Sequence, residues 1–177
     1  RTWVITGRER HVAMARPGYT PYPQRSFRTK DHLYIINFRP DRWPMGDPYQ
    51  VSKDKAPDWT ILENKTFAAF ADFDASPTKA WLIGKRNDPQ WKWHYDYAFA
   101  KRPREQLFIL KDDPDQINNV AADPAYSKIK AQLKKKLMAQ LKRLRDPRVT
   151  GDGMTFEKPP FTGEWKKPAR GKGKKKQ

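Results

Sequence analysis

The stretch 107–145 constrains the fold most, because it holds a strand, a turn and a long amphipathic helix in one continuous run. The apolar run 107–110, with polar flanks, predicts a buried strand. Asp123 followed by Pro124 predicts a helix start, since Asp can accept a hydrogen bond from a free amide and Pro fits the first turn. Pro147 predicts the helix end. Apolar residues recur every three or four positions in a stripe that needs a sheet to lie on: Tyr126, Ile129, Leu133, Leu137, Leu141 and Leu144.

The earlier part of the chain supplies candidate strands for that sheet. Segment 32–38 is β-branched and aromatic, and segment 25–29 alternates, so the two predict an antiparallel hairpin. Segment 2–6 is also predicted to be a strand. Because no parallel partner for it is evident in this chain, it is expected to belong to a larger sheet. Weaker helical patterns cover 59–73, 78–85 and 91–99. The predicted fold class is α+β, a small antiparallel sheet packed by a long C-terminal helix.

Composition excludes several kinds of site. The chain of 177 residues contains no Cys, which excludes disulfides, thiolate metal sites and a Cys nucleophile. No apolar run approaches the roughly 20 residues that cross a bilayer. The sequence begins at Arg1 and enters a strand almost at once, so it is expected to be cut from a longer protein.

The net charge of +17 comes from two segments. Segment 125–145 has eight basic residues and no acidic one, and segment 165–177 has seven and none. The rest of the chain has 22 basic and 20 acidic residues and is nearly neutral. Basicity is therefore expected on one solvated helix face and one disordered tail. This leaves open whether the charge binds a polyanion or only solvates the helix.

The loop after the first strand contains the candidate binding residues. Arg8, Glu9, Arg10 and His11 follow one another, and Arg16 lies close behind. Arginines can hold an anionic group in a two-pronged contact, and a histidine can donate or accept near neutral pH. The alternative is a solvated loop without a ligand.

Other motifs indicate structure and not chemistry. Residues 112–115 are acidic but lack the twelve-residue ligand pattern of a calcium loop, so they predict a turn. No pair of histidines has metal-ligand spacing, and neither a nucleophile elbow nor a phosphate-binding glycine loop is present in the sequence.

Two groups of short motifs resemble the C-terminal part of bacterial sulfatases, in particular the N-sulfoglucosamine sulfohydrolase branch. The first group is fairly specific and comprises residues 6–11, 16–17, 22–25, 28–31, 33–35, 37–38 and 40–44. The second is common to sulfatases generally and comprises 101–103, 107–108, 110, 113–114 and 118–121. The chain departs from the pattern at Gln106, Phe108 and Ile109, where the family has an acidic residue, a Tyr and an Asp.

The resemblance implies a hydrolase of sulfate esters or sulfamates on sulfated glycans, periplasmic or secreted. Calcium and a formylglycine nucleophile would belong to an N-terminal domain outside this chain, and none of the four serines lies in the formylglycine motif. This chain would bind neither cofactor and would be inactive alone. The implied limits are 1–21 for the end of the catalytic domain, 22–149 for the C-terminal subdomain, 150–164 for an irregular arm and 165–177 for the tail.

Under that reading Arg10, His11 and Arg16 contact the glycan, and Glu9 orients Arg10. The alternative function is a basic module that binds a polyanion, either nucleic acid or glycosaminoglycan. A third possibility is a structural domain that closes one side of a cleft.

Overall fold

A computed structural model describes residues 2–159, and its sheet confirms the α+β class. Four strands run antiparallel in chain order: β1 (Trp3–Arg8), β2 (Gln24–Thr29), β3 (His32–Asn37) and β4 (Glu105–Ile109). Phe27 lies opposite Tyr34 in the register of β2 and β3, as the predicted hairpin requires. The long insertion between β3 and β4 has a buried cluster of its own and contacts the loop after β1 through Asp72.

Four α-helices complete the described part of the chain: α1 (Trp59–Asn64), α2 (Pro77–Gly84), α3 (Lys92–Phe99) and α4 (Ser127–Arg143). The side chain of Ser76 accepts a hydrogen bond from the Lys79 amide and begins α2. The predicted helix over 59–73 is wrong beyond α1, because a 3₁₀ turn and an extended residue follow it.

The apolar stripe of α4 packs on one face of the sheet, as the spacing predicts, except at Leu144, which follows the helix and is 59% exposed. Asp123 accepts a hydrogen bond from the Ala125 amide in the 3₁₀ turn that leads into the helix. The buried residues of this first core come from three strands, one helix face and the segment between β4 and α4: Phe27, Tyr34, Ile36, Leu107, Ile109, Ala121, Leu133, Leu137 and Leu141. Because these strand residues alternate, the side chains between them point to the opposite face of the sheet.

The structure differs from the expectation in the pairing of β1 and the end of α4, and β4 begins at Glu105, two residues before the predicted strand. The strand at Trp3 is not partnerless, because β1 pairs with β2 along its whole length and forms the first edge of this sheet. The helix α4 ends at Arg143, before Pro147, because Arg145 adopts the left-handed conformation at φ 54°. The Asp146 amide donates to the Leu141 carbonyl at 2.8 Å, so a hydrogen-bonded turn ends the helix before Pro147.

The insertion between β3 and β4 has its own core. Phe70 stacks on Phe99 with ring centroids 4.3 Å apart, and α1, α2 and α3 surround the pair. Lys79 is fully buried here, and its ammonium group donates to the carbonyls of Thr66 and Phe73 at 2.9 and 2.8 Å. Burial lowers the pKa of Lys79 to about 8.

No helix within residues 2–159 is long and apolar enough to cross a membrane. The basic tail at 165–177, which the sequence predicts to be disordered, lies outside the described residues.

Candidate functional site

The loop that follows β1 lies against two segments of the insertion. Gly46, at φ 91°, allows this approach, because a Cβ there would lie 2.8 Å from the Ala71 amide and 3.0 Å from the Ala15 carbonyl. The Asp47 amide donates to the Ala15 carbonyl at 2.9 Å, and the Asp72 amide donates to the Met45 carbonyl at 3.0 Å. These bonds place the Asp72 carboxylate beneath the loop.

Asp72 gathers several donors of that loop around one buried carboxylate. Its Oδ2 accepts from Arg8 at 2.7 Å and from Arg16 at 2.9 Å. Its Oδ1 accepts from the Val12 amide at 2.9 Å, and Nδ1 of His11 lies 3.7 Å away. Arg16 also donates to the carbonyls of residues 43 and 44. A fully buried carboxylate held by two guanidinium groups fixes the path of the loop.

A second group of charges, here called the arginine network, joins the loop after β1 to the segment after α4. It consists of alternating guanidinium and carboxylate groups: Glu9, Arg25, Arg42, Asp146, Arg148 and Glu157. Gly7 gives Arg25 room to cross β1, because a Cβ at Gly7 would lie 2.8 Å from Cδ of Arg25.

The ion pairs of the arginine network are short and largely shielded from solvent. Glu9 accepts from Arg25 at 2.8 Å and from Arg148 at 2.6 Å. Arg148 also donates to Glu157 at 2.7 Å, with only 4% of its side chain exposed. Burial lowers the pKa of Arg148, but hydrogen bonds to the two glutamates outweigh it and the net shift is upward. Burial raises the pKa of Glu157, and bonds from Arg42 and Arg148 reverse this, so that its pKa falls below 4.5.

The four predicted binding residues therefore have different surroundings. Glu9 lies in the arginine network, and Arg16 is 3% exposed and bonded inside the chain. Arg10 donates to the carbonyls of Tyr19 and Phe156 at 2.6 Å each. His11 is the most exposed of them, with 64% of its side chain accessible. The structure brings all four onto one loop, and their contact with a ligand stays a prediction.

The outer side of α4 carries a second candidate site, here called the lysine face: Lys128, Lys135, Lys136 and Lys142. All are exposed, and within residues 2–159 none of them forms an ion pair or a hydrogen bond through its side chain. Lys128, Lys135 and Lys142 recur every two turns, so they span about 21 Å at a rise of about 1.5 Å per residue. The remaining lysines of the helix are engaged, since Lys134 pairs with Glu105 at 3.0 Å and Lys130 donates to the Ala121 carbonyl at 2.5 Å.

The chemistry of the lysine face is electrostatic. No acidic residue occurs between positions 125 and 145, so nothing on the helix neutralises it. α4 contains no aromatic residue, which excludes stacking of bases on this helix. No cluster of three or more His, Asp or Glu side chains suited to a metal lies within the described residues.

Comparison with known proteins does not place the chain in a family. No family model matches it. An uncharacterised protein of Haemophilus influenzae is 36% identical over 53 residues, which cover 30% of this chain and 27% of that protein. The chain thus spans little more than a quarter of the length of this relative. The assignment to sulfatases is therefore wrong. The motifs that suggested it are short, and several of their charged residues have structural partners here, such as Arg8 with Asp72 and Arg25 with Glu9.

The partners of these charges lie far away in the sequence. Asp72 lies 64 residues from Arg8, and Arg148 lies 139 residues from Glu9. Neither pair has a local spacing that could reveal it. The near balance of charge outside the two basic segments was the available signal, since it indicates that most other cations can be paired.

Proposed function

We propose that this chain binds an extended polyanion through the lysine face of α4. The observation that carries the proposal is a group of four exposed lysines on a helix without acidic residues, none of which forms an ion pair within residues 2–159. Elsewhere in the described chain many cations have carboxylate partners, as in the arginine network. A row of unpaired cations attracts a polyanion, and its release of counterions favours binding.

The contact is with charge and not with a base sequence. Lysine is a point charge without the planar fork of arginine, and α4 offers no ring for stacking. A sulfated polysaccharide and duplex DNA both present anions along a length that matches the span of the lysine face. We therefore expect binding to heparin and to DNA without preference among DNA sequences.

The test compares two variants with equal net charge. In the first, the four lysines of the lysine face become Gln. In the control, four exposed lysines without ion pairs in the described chain become Gln: Lys30, Lys53, Lys55 and Lys65. Binding of the full chain to heparin and to a DNA duplex is measured by fluorescence anisotropy between 50 and 300 mM salt. These concentrations are about the range over which counterion release changes affinity steeply.

The lysine-face variant should lose about three to four units from the slope of log affinity against log salt on DNA, at about 0.9 per phosphate contact. The control should lose less than about one unit. Equal losses in both variants would show that net charge alone drives binding and would overturn the proposal. A strong preference for one DNA sequence would overturn the charge-only mode of contact.

A further inference from the structure

A small pocket lies on the sheet face opposite α4. In β4, Leu107 and Ile109 point to α4, so Gln106 and Phe108 point the other way. The pocket has a volume of about 250 Å³ and is lined by the end of α3, the following loop, β4 and the segment after it: Tyr97, Lys101, Arg102, Pro103, Gln106, Phe108, Ile117 and Asn119. It shares no residue with the lysine face, so binding at this pocket does not depend on the proposed function.

Two cations and no acidic residue line this pocket. Nη1 of Arg102 donates to the Asp96 carbonyl at 3.2 Å, Nη2 donates to the Tyr97 carbonyl, and the guanidinium lies 5.5 Å from the Tyr97 ring centre. Lys101 is exposed, with Nζ 5.3 Å from the Trp43 ring centre. Within residues 2–159, neither cation forms an ion pair. The pocket is therefore positively charged, with one of its cations fixed in place.

An amide donor adds to the two cations. Oε1 of Gln106 accepts from Nδ2 of Asn37 at 3.1 Å, which fixes the orientation of the amide. Nε2 of Gln106 then remains as a donor, and it has no hydrogen-bond partner among the described residues. Asn119 has a different role, since its Oδ1 accepts from the Leu107 amide at 2.9 Å and holds the segment against β4.

The apolar part of the lining limits what fits. Phe108 is 4% exposed, whereas Ile117 is 47% exposed. The volume is a little below the lower limit of about 300 Å³ for typical small-molecule sites, so a single compact group fits and a larger ligand does not. Two cations, one amide donor and an apolar surface match an acidic sugar, which has an anionic group, hydroxyls and an apolar ring face.

We propose that this pocket binds an anionic monosaccharide unit, a uronate or a sulfated sugar, with Lys101 and Arg102 contacting the anion and Gln106 donating to an oxygen of the ligand. A monosaccharide acid has about thirteen heavy atoms, and each contributes about 0.3 kcal/mol of binding free energy. The expected dissociation constant is therefore on the order of 1 mM. Such an affinity is measurable by chemical-shift titration.

The experiment titrates the full chain with glucuronate, glucose and inorganic sulfate, monitored by amide chemical shifts. Glucuronate should give saturable shifts at residues 101–108 and 117–119, and glucose should bind at least tenfold more weakly. Inorganic sulfate should also bind more weakly, since it lacks the ring. Sulfate binding equal to that of glucuronate would overturn the assignment to a sugar acid, and equal binding of glucose would overturn the role of the cations.

Two variants test the named residues. Gln106→Glu keeps the acceptor for Asn37 but replaces the amide donor with a negative charge, so glucuronate binding should fall at least tenfold. Lys101→Gln should weaken it about threefold to tenfold. Lys65→Gln, which removes an exposed charge outside the pocket, should leave it unchanged. Each variant must keep the wild-type melting temperature. Wild-type affinity in folded Gln106→Glu, or no saturable shift with glucuronate up to about 20 times the expected constant, would overturn the proposal.

Discussion

The arginine network and the lysine face are both rich in positive charge, yet they have opposite surroundings. In the arginine network each guanidinium faces one or two carboxylates, and Arg148 is nearly inaccessible. On the lysine face the ammonium groups are exposed and, within residues 2–159, have no carboxylate partner. The planar guanidinium can satisfy two carboxylates at once, whereas lysine remains strongly hydrated. Burial and pairing thus separate the cations that stabilise the fold from those free to meet a ligand.

The arginine network also connects two segments that are far apart in the sequence. Glu9 follows β1, and Arg148 and Glu157 follow α4, so their ion pairs join the N-terminal edge of the sheet to the C-terminal arm. The lysine face lies on the helix between these points and forms no ion pair with another residue of the described range 2–159. Substitutions in the two regions should therefore separate stability from binding.

The largest effect is expected from Arg148→Ala. The change leaves Glu9 and Glu157 partly buried and without one of their partners, which costs about 3–5 kcal/mol when a buried ion pair is broken. Urea unfolding at pH 7 measures the loss. Arg39→Ala is the control, since its pair with Asp41 is exposed and should contribute less than about 1 kcal/mol. Similar losses in the two variants would contradict the contrast between buried and exposed pairs.

Leu137→Ala tests the inner side of the helix that carries the lysine face. Leu137 is fully buried in the first core, so its truncation should destabilise the chain by about 2–5 kcal/mol. Lys135→Ala, two positions away on the outer side, should change stability by less than about 0.5 kcal/mol. Thermal melts of the two variants give the difference, and equal effects would contradict the packing of α4 on the sheet.

The arginine network should weaken in acid. The pKa of Glu157 in the folded chain lies below its ordinary value of 4.5. Its stabilisation is therefore complete above about pH 4.5 and is lost as the pH falls through the lower folded value. Glu157→Gln should remove this part of the pH dependence. The difference in the free energy of unfolding between wild type and variant, here called the gap, should therefore narrow below pH 4.5. Urea unfolding between pH 3 and 7 measures the gap. A gap of constant size would show that Glu157 contributes no charge-dependent stability.

Local patterns made much of the fold predictable from the sequence. The stripe of α4 follows from a period of about 3.6 residues, and the first strand of the 25–38 hairpin follows from alternation. The second strand of the hairpin follows from its β-branched and aromatic residues, and the strand at 107 from a short apolar run. The place of β1 was not predictable in this way, because edge pairing depends on a partner some twenty residues away. The carboxylates of the arginine network are separated from their arginines by up to 139 residues, and no spacing rule reaches that far.

Some features of the candidate sites are evident from the sequence, and others only from the structure. The basic, acid-free run at 125–145 was evident from the sequence, and the structure adds which of its lysines are exposed and unpaired. The pocket beside β4 could not be inferred, since it depends on which side of the strand Gln106 faces. The charges of the loop 8–16 are evident from the sequence. Their buried partner Asp72 is not, because it lies far along the chain in the insertion between β3 and β4.

Only a small effect on stability is expected from neutralising all four residues of the lysine face. Like charges along α4 repel one another, and this repulsion is largely screened at high salt. Changing all four lysines to Gln should leave stability within about 1 kcal/mol of wild type at 20 mM salt, with the variant equal or slightly more stable. At 500 mM salt the two should converge, because the screening length falls below about 5 Å. Thermal melts at both salt concentrations measure this, beside the binding assay on the same samples. A loss of more than about 2 kcal/mol would show that the lysines stabilise the fold, and their loss of polyanion binding could then no longer be attributed to a free surface.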